Sequence, residues 1–248
     1  MIDEQTLTRL KMMRLSGMAD CFDQLASTPS TAPLTGPELV KLGVDWEWER
    51  RRDAKLARLR RRAHLAQPYA DIADIQPVPG RDLDTEFVAR LAVGTYITKH
   101  QDVVLQGPTG SGKTYVACAL GNKACQQYHS VLYLSAQDLF DQMSLADKTG
   151  QRRTTLDALV KIEVLIIDDW FLTSPTREQV QLLHTLVDRR CRATSTIYCT
   201  QLPPAQWHDR IEEKILADAI VDRITTNAHT TVLTCADSMR RHFTQLGD

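Results

Sequence analysis

The residues with the most specific chemistry lie at positions 107–114, where the sequence reads Gly-Pro-Thr-Gly-Ser-Gly-Lys-Thr. Glycines let backbone N–H groups turn toward one point without side chains in the way. A predicted helix that starts at Lys113 adds free N–H groups and a dipole that favours an anion. Lys113 can hold phosphate oxygens, and the Thr114 hydroxyl can bind Mg²⁺. The spacing therefore predicts that ATP and Mg²⁺ are bound by Gly107, Pro108, Thr109, Gly110, Ser111, Gly112, Lys113, Thr114 and Tyr115.

A pair of carboxylates follows a continuous apolar run further along the chain. Residues Val164–Ile167 predict a buried strand, and Asp168 and Asp169 come directly after it. In open parallel sheets, ligands bind at the carboxyl ends of the strands. We expect Asp168 to hold Mg²⁺ and Asp169 to orient and polarise an attacking water. An isolated pair of this kind would favour a solvated turn, but the upstream glycine-rich loop favours the functional interpretation.

A polar residue also follows the predicted strand Ser195–Cys199, at Thr200-Gln201. The amide of Gln201 can both donate and accept a hydrogen bond, so it could contact the γ-phosphate or position water. An ordinary exit from a strand is the alternative interpretation.

Short apolar runs that alternate with helical segments position these groups. They predict an α/β fold, a parallel sheet with helices on both faces. Two helical segments, Thr6–Leu25 and residues 37–65, precede it, and Gly17 weakens the first helix without ending it. We predict a helical domain at residues 1–67 and an ATPase domain at 68–248. The predicted strands are Val103–Leu105, Val131–Leu134, Val164–Ile167, Ser195–Cys199 and Thr231–Leu233.

Composition narrows the possible partners and compartments. The 248 residues carry a net charge of −1, so nucleic-acid binding would have to come from local patches. The six cysteines show no Cys-x-x-Cys spacing. With no signal-peptide pattern and no apolar run long enough for a membrane span, we expect a cytoplasmic protein with reduced thiols and no membrane partner.

The order of the motifs resembles the AAA+ ATPases of the helicase-loader and replication-initiator group. These motifs are the glycine-rich loop, Ile-Ile-Asp-Asp-Trp, Thr-Gln-Leu-Pro-Pro with Trp207, and Ala-Ile-Val-Asp-Arg-Ile. Within that group, the chain most resembles the IstB family of transposition helper ATPases. The likeness extends to Leu15–Ala19, Glu47–Arg62 and Ser238–Arg240. Two positions depart from the usual AAA+ pattern, with Asp169 where glutamate is usual and Phe171 where glycine is common.

The resemblance implies an AAA+ fold and subunits that assemble side by side with ATP between them. It also implies that Arg223, in Val221-Asp222-Arg223-Ile224, reaches the γ-phosphate held by a neighbouring subunit. A guanidinium in that place stabilises charge on the transferring phosphoryl group. The resemblance gives Arg240 a second nucleotide-sensing or interface role. Without it, Arg223 would be a surface arginine of a helix.

Two basic segments are candidates for contact with the DNA backbone, which attracts cations through counterion release. The first has eight cations among 13 residues: Arg50, Arg51, Arg52, Lys55, Arg58, Arg60, Arg61 and Arg62. The second contains Lys148, Arg152 and Arg153, where initiator-like AAA+ proteins carry an extra helix. A solvated helix face is the alternative for both. Since the sequence has no helix-turn-helix or zinc signature, we expect contacts to duplex DNA that are mostly independent of base sequence.

The leading hypothesis is an ATPase that assembles with itself on duplex DNA and assists a cognate transposase in target selection or strand transfer. Hydrolysis would be slow and stimulated by DNA or the partner. A replicative helicase loader is the first alternative, and only the likeness over the whole chain favours transposition. A P-loop phosphotransferase that acts on a small molecule, and a nucleotide-gated scaffold that barely hydrolyses, are the others.

Overall fold

The computed structural model describes residues 3–27, 34–75 and 81–235. By its internal contacts the chain divides into two compact units, Met1–Arg58 and Leu59–Asp248. The predicted domain boundary after residue 67 lies nine residues beyond this division. The separate functions assigned to the two domains remain predictions.

The first unit contains helices α1 (Glu4–Met12), α2 (Ser16–Ser27) and the first part of α3 (Gly36–Ala63). Its small core consists of Leu10, Ala19, Cys21 and Phe22. Gly17 is required because a Cβ there would lie 2.9 Å from the Glu47 Cα, and the Gly17 N–H donates to the Glu47 carboxylate at 2.7 Å. The helices therefore approach closely enough for one carboxylate to cap the start of α2.

The prediction of one helix from Thr6 to Leu25 is wrong. The helix breaks at Arg14, which adopts a left-handed backbone with φ of 60°, and Gly17 lies inside α2. The N–H of Leu15 donates to the Leu10 carbonyl at 2.9 Å, which closes the end of α1. The apolar spacing continues across the break because both helices pack on one core, so periodicity alone hid it.

The second unit is built on a five-stranded parallel sheet, which confirms the prediction of a parallel α/β fold. The strands are β2 (Asp102–Gln106), β3 (Val131–Ser135), β4 (Val164–Trp170), β5 (Ser195–Thr200) and β6 (Ala228–Val232). Their order in the sheet is β3-β4-β5-β2-β6. The last strand, β6, begins three residues before the predicted Thr231–Leu233. Short strands β1 (Arg81–Asp82) and β7 (Thr234–Cys235) form a separate antiparallel pair.

Helices surround the sheet and bury its apolar strands. Residues Val164–Ile167 of β4 are almost completely buried, as expected for a strand covered on both faces. Between β3 and β4 the chain forms two consecutive helices. The helices are α4 (Thr85–Ala92), α5 (Thr95–Thr98), α6 (Lys113–Gln126), α7 (Ala136–Lys148), α8 (Arg152–Lys161), α9 (Arg177–Arg190) and α10 (Lys214–Thr225). Among the helices in the described ranges, none combines the length and apolar character needed to cross a bilayer.

Candidate functional site

The glycine-rich loop connects strand β2, which lies between β5 and β6 in the sheet, to helix α6. Gly110 and Gly112 have φ of 84° and 91°, and Gly112 directly precedes the first turn of α6. These backbone angles are open to glycine at little cost, so the loop can present N–H groups toward one point. The Lys113 ammonium donates to the carbonyls of Gly107 at 2.8 Å and Pro108 at 2.9 Å. The cation is therefore held over the loop, where an incoming phosphate would meet it.

Asp168 lies at the carboxyl end of β4 and is 5% exposed. Its Oδ2 accepts hydrogen bonds from the Thr114 hydroxyl at 2.7 Å and the Tyr133 hydroxyl at 2.8 Å. Its Oδ1 accepts from the Asp169 N–H at 2.9 Å. Burial and the nearby Asp168 charge raise the pKa of Tyr133 well above its usual value, so the phenol keeps its proton and donates. The structure thus brings together the two predicted magnesium ligands, Thr114 and Asp168.

Asp169 is exposed and has a left-handed backbone with φ of 55°. The pairing of β4 with β5 is interrupted between Ile167 and Trp170, so the strand bulges at the acidic pair. Asp and Asn enter the left-handed region more readily than most residues. This backbone gives a physical reason for the shorter acid at this position. Phe171 also has a positive φ, 54°. The centroid of its ring lies 4.6 Å from that of Trp170 and 5.8 Å from that of Trp207.

One cavity of about 450 Å³ joins the loop to the acidic pair, and its volume suits a small-molecule ligand. It includes Gln201, which comes directly after β5 as the sequence predicted. Gly107, Pro108 and Ser111 belong to the loop but are not among its lining residues. The cavity is lined by Gln67, Thr109, Gly110, Gly112, Lys113, Thr114, Tyr115, Asp168, Asp169 and Gln201.

Gln67 is a lining residue that the sequence analysis missed. It belongs to a segment after α3 that α6 holds in place, since the Asn122 side chain donates to the carbonyls of Pro68 at 2.9 Å and Ala70 at 2.8 Å. The Tyr115 hydroxyl donates to the Asp74 carboxylate at 3.2 Å. This irregular segment has no apolar period and no motif, so its position beside the loop was not readable from the sequence.

Arg223 is placed outside this cavity, on α10. Its Nε and Nη2 both lie 2.9 Å from Oδ1 of Asp188 on α9, and its Nη1 donates to the Ala219 carbonyl at 3.1 Å. The guanidinium is partly exposed, with 33% of the side chain accessible. Arg240 lies outside the described residues.

The predicted basic segments differ in how far their charges are already paired. Arg50 and Arg51 form ion pairs with Asp20 and Glu47, and Arg52 and Lys55 also have interactions within the protein. Arg58, Arg60, Arg61 and Arg62 are exposed in the last turns of α3. In the second segment Lys148 ends α7, Arg152 pairs with Asp147 at 2.5 Å, and Arg153 is exposed in α8. The end of α3 is therefore the stronger cationic surface.

The donor set around Asp168 fits Mg²⁺ only with help from a phosphate chain. Within the described residues, no group of three or more His, Cys, Asp or Glu side chains is placed to hold a metal ion. Thr114 and Asp168 offer two hard oxygen ligands beside the phosphate loop. Mg²⁺ commonly binds through one or two protein oxygens plus substrate phosphates and water, so this pair is sufficient.

The site combines a parallel sheet, a phosphate loop after β2 and an acidic pair at the end of β4, with β5 lying between these two strands. These features define the class: the protein has the AAA+ P-loop ATPase fold. The sequence then gives the family. The chain belongs to the IstB-like ATP binding proteins, whose pattern matches residues 8–246. The resemblance noted from the motifs is thereby confirmed, and ATP binding is the property that the family name carries.

Individual proteins agree with this assignment. The chain is 36% identical over 241 residues to the insertion sequence ATP-binding protein y4uH of Sinorhizobium fredii, which covers 97% of this chain and 96% of that one. It is 38% identical over 203 residues to the ATP-binding protein of insertion sequence IS1162 from Pseudomonas fluorescens, and the match covers 82% of this chain and 88% of that protein. Among solved structures, DnaI has a TM-score of 0.59 at 22% identity and covers 67% of this chain and 92% of its own, a likeness of fold alone.

Proposed function

We propose that this protein is a Mg²⁺-dependent ATPase that assembles on duplex DNA and assists the transposase of an insertion sequence. The observation that carries the proposal is the meeting of Lys113, Thr114, Asp168, Asp169 and Gln201 around one cavity. Lys113 would turn from the loop carbonyls to the β- and γ-phosphates of ATP. Thr114 and Asp168 would hold Mg²⁺, which neutralises charge on the phosphate chain.

Hydrolysis would use the exposed carboxylate beside this pair. Asp169 would orient a water toward the γ-phosphorus and accept its proton as the new P–O bond forms and the bond to ADP breaks. Gln201 would hold the γ-phosphate or the water through its amide. The exposed position of Asp169 in the same cavity as Lys113 and Thr114 supports this role.

Arg223 supports an assembly in which a second copy completes the site. Arg223 lies on α10, and none of the residues that line the cavity belongs to this helix. A contact from Arg223 to a γ-phosphate would therefore be made to a neighbouring subunit. Arg240 would be a further interface arginine. DNA contact is proposed mainly for Arg58, Arg60, Arg61 and Arg62, which are exposed cations on consecutive turns.

The insertion-sequence relatives favour a transposase as partner over a replicative helicase. The family matches nearly the whole chain, while DnaI shares the fold at low identity. A small-molecule phosphotransferase receives no comparable support from the relatives.

The experiment that tests the proposal measures particle mass with duplex DNA, with and without ATP and Mg²⁺, together with ATP hydrolysis. We expect a large DNA-bound particle only with ATP. Lys113→Ala should abolish ATP binding and assembly, and Arg223→Ala should keep ATP binding but lose hydrolysis by about 10³-fold or more. Lys123→Ala on α6 and Arg189→Ala, which breaks a similar surface ion pair with Asp157, are matched controls.

Two results would contradict the proposal. A small particle that ignores ATP and DNA would rule out nucleotide-gated assembly on DNA. Full hydrolysis by Arg223→Ala would rule out its role at a neighbour's γ-phosphate, whatever the particle mass.

A further inference from the structure

Tyr133 lies on β3 beside the magnesium ligands proposed above, although nothing in the sequence motifs points to it. In the parallel pairing of β3 with β4, Tyr133 lies opposite Ile166 and Ser135 lies opposite Asp168. Side chains two residues apart in a strand point to the same face of the sheet. Tyr133 and Asp168 are therefore on one face, and the Tyr133 hydroxyl reaches the Asp168 Oδ2 at 2.8 Å.

The carboxylate of Asp168 is fixed at both of its oxygens. Oδ1 accepts the backbone N–H of Asp169, and Oδ2 accepts two hydroxyl groups, from Thr114 and from Tyr133. The Thr114 hydroxyl is also a proposed ligand of the cation, and for that role its oxygen lone pairs must face the cavity. The Tyr133 hydroxyl comes from a sheet strand and approaches from another direction. It can hold the Asp168 carboxylate in one rotation while Thr114 serves the cation.

Packing alone does not explain a tyrosine at this position. Val131, Leu132 and Leu134 of β3 are apolar residues that build the strand, and a phenylalanine ring would fill the same space as Tyr133. The hydroxyl is the one group that distinguishes tyrosine from phenylalanine, and it is bonded to a metal-ligand carboxylate. Groups that hydrogen-bond a ligating carboxylate orient it, and their loss typically reduces metal affinity about 10- to 100-fold.

We propose that Tyr133 is a positioning residue for the magnesium site: its hydroxyl holds Asp168 in the orientation that binds the cation of Mg²⁺–ATP. This inference rests on the proposed function, because it assigns a role within the same ATP site. Tyr133 is not among the residues that line the cavity, so it acts through Asp168. It follows that the residue controls how strongly Mg²⁺ and ATP promote each other's binding, and leaves the binding of metal-free nucleotide unaffected.

The test is Tyr133→Phe, which removes one oxygen and keeps the ring. ATP affinity is measured by calorimetry in EDTA and then across a Mg²⁺ titration. We expect the metal-free affinity to stay within about twofold of wild type and the Mg²⁺ concentration for half-maximal effect to rise about 10-fold. Tyr96→Phe is the matched control, because its buried hydroxyl has no hydrogen-bond partner among the described residues and it does not line the cavity.

The possible outcomes separate this inference from the proposed function. An unchanged Mg²⁺ requirement in Tyr133→Phe, with a normal requirement in wild type, would overturn the role of Tyr133 alone. An equal loss of affinity with and without Mg²⁺ would also overturn it, since that is the effect of a purely structural residue. Wild-type ATP binding that ignores Mg²⁺ would overturn the proposed metal site itself and this inference with it.

Discussion

The carboxylates at the two ends of the parallel strands, Asp168 and Asp102, have different hydrogen-bond partners and different surroundings. At the carboxyl edge, Asp168 accepts two hydroxyl groups and one N–H beside an open cavity. At the amino edge, Asp102 begins β2 and its Oδ1 accepts the Thr196 N–H at 2.7 Å. Near it, the buried Arg190 donates to the carbonyls of Leu159, Ile162 and Ser195.

The difference lies in which groups satisfy the charges. Arg190 is 3% exposed and is surrounded by neutral backbone carbonyls and the Thr196 hydroxyl, so its donors are used by the fold. Asp168 is satisfied by hydroxyl groups that can rotate to other partners, and its lone pairs face a site where a cation could bind. Polar residues at the amino edge therefore serve stability, while those at the carboxyl edge keep coordination capacity for a ligand.

The largest effect that would sharpen this contrast is expected from Asp168→Asn. The new amide can donate to the Thr114 and Tyr133 hydroxyls and still accept the Asp169 N–H, so the free energy of unfolding should change by less than about 1 kcal/mol. The lost charge should reduce Mg²⁺-dependent ATP hydrolysis by about 10²-fold or more. Steady-state hydrolysis and urea unfolding of the same preparation measure the two quantities. Strong destabilisation without loss of hydrolysis would remove the distinction between the edges.

Arg190→Met should show the reverse pattern. Methionine fills much of the same space but leaves several buried carbonyls without donors, so we expect a loss of roughly 3 to 5 kcal/mol in the free energy of unfolding. ATP affinity of the remaining folded protein should be unchanged. Arg189→Met is the matched control on the same helix, because its exposed ion pair with Asp157 is worth about 1 kcal/mol or less. Equal destabilisation by the two variants would contradict the role given to Arg190.

The carboxyl edge was also the more predictable one from sequence. The glycine-rich loop and Asp168 carry a motif, and Gln201 follows a recognisable strand, so the sequence could predict them. Most of the loop lines one cavity together with Asp168 and Gln201. Tyr133 and Gln67 were missed because their roles depend on strand register and on an irregular segment that only α6 positions. Arg190 was missed because an arginine at the end of an amphipathic helix usually faces solvent. Its burial depends on carbonyls from two other segments, the end of α8 and the start of β5.

The smallest effect concerns the charge of Asp102, whose pKa burial raises to about 7, against the opposing effects of the Thr196 N–H and the Arg190 cation. An unfolded chain has an Asp pKa of about 3.9, so between pH 4 and 7 the folded state binds more protons than the unfolded state. The free energy of unfolding should therefore fall as the pH rises through this window and level off above it.

The variant Asp102→Asn keeps an oxygen that accepts from the Thr196 N–H and has no charge to bury. Urea unfolding from pH 4.5 to 8 should show the free energy of unfolding of the variant rising relative to that of the wild type. At pH 8 the variant should be the more stable by at least about 1.4 kcal/mol, the equivalent of one pKa unit. A wild type that stays the more stable of the two at pH 8 would mean that Asp102 is ionised and stabilised by Arg190, and the amino edge would then contain a functional ion pair of the fold rather than a carboxyl group kept neutral by burial.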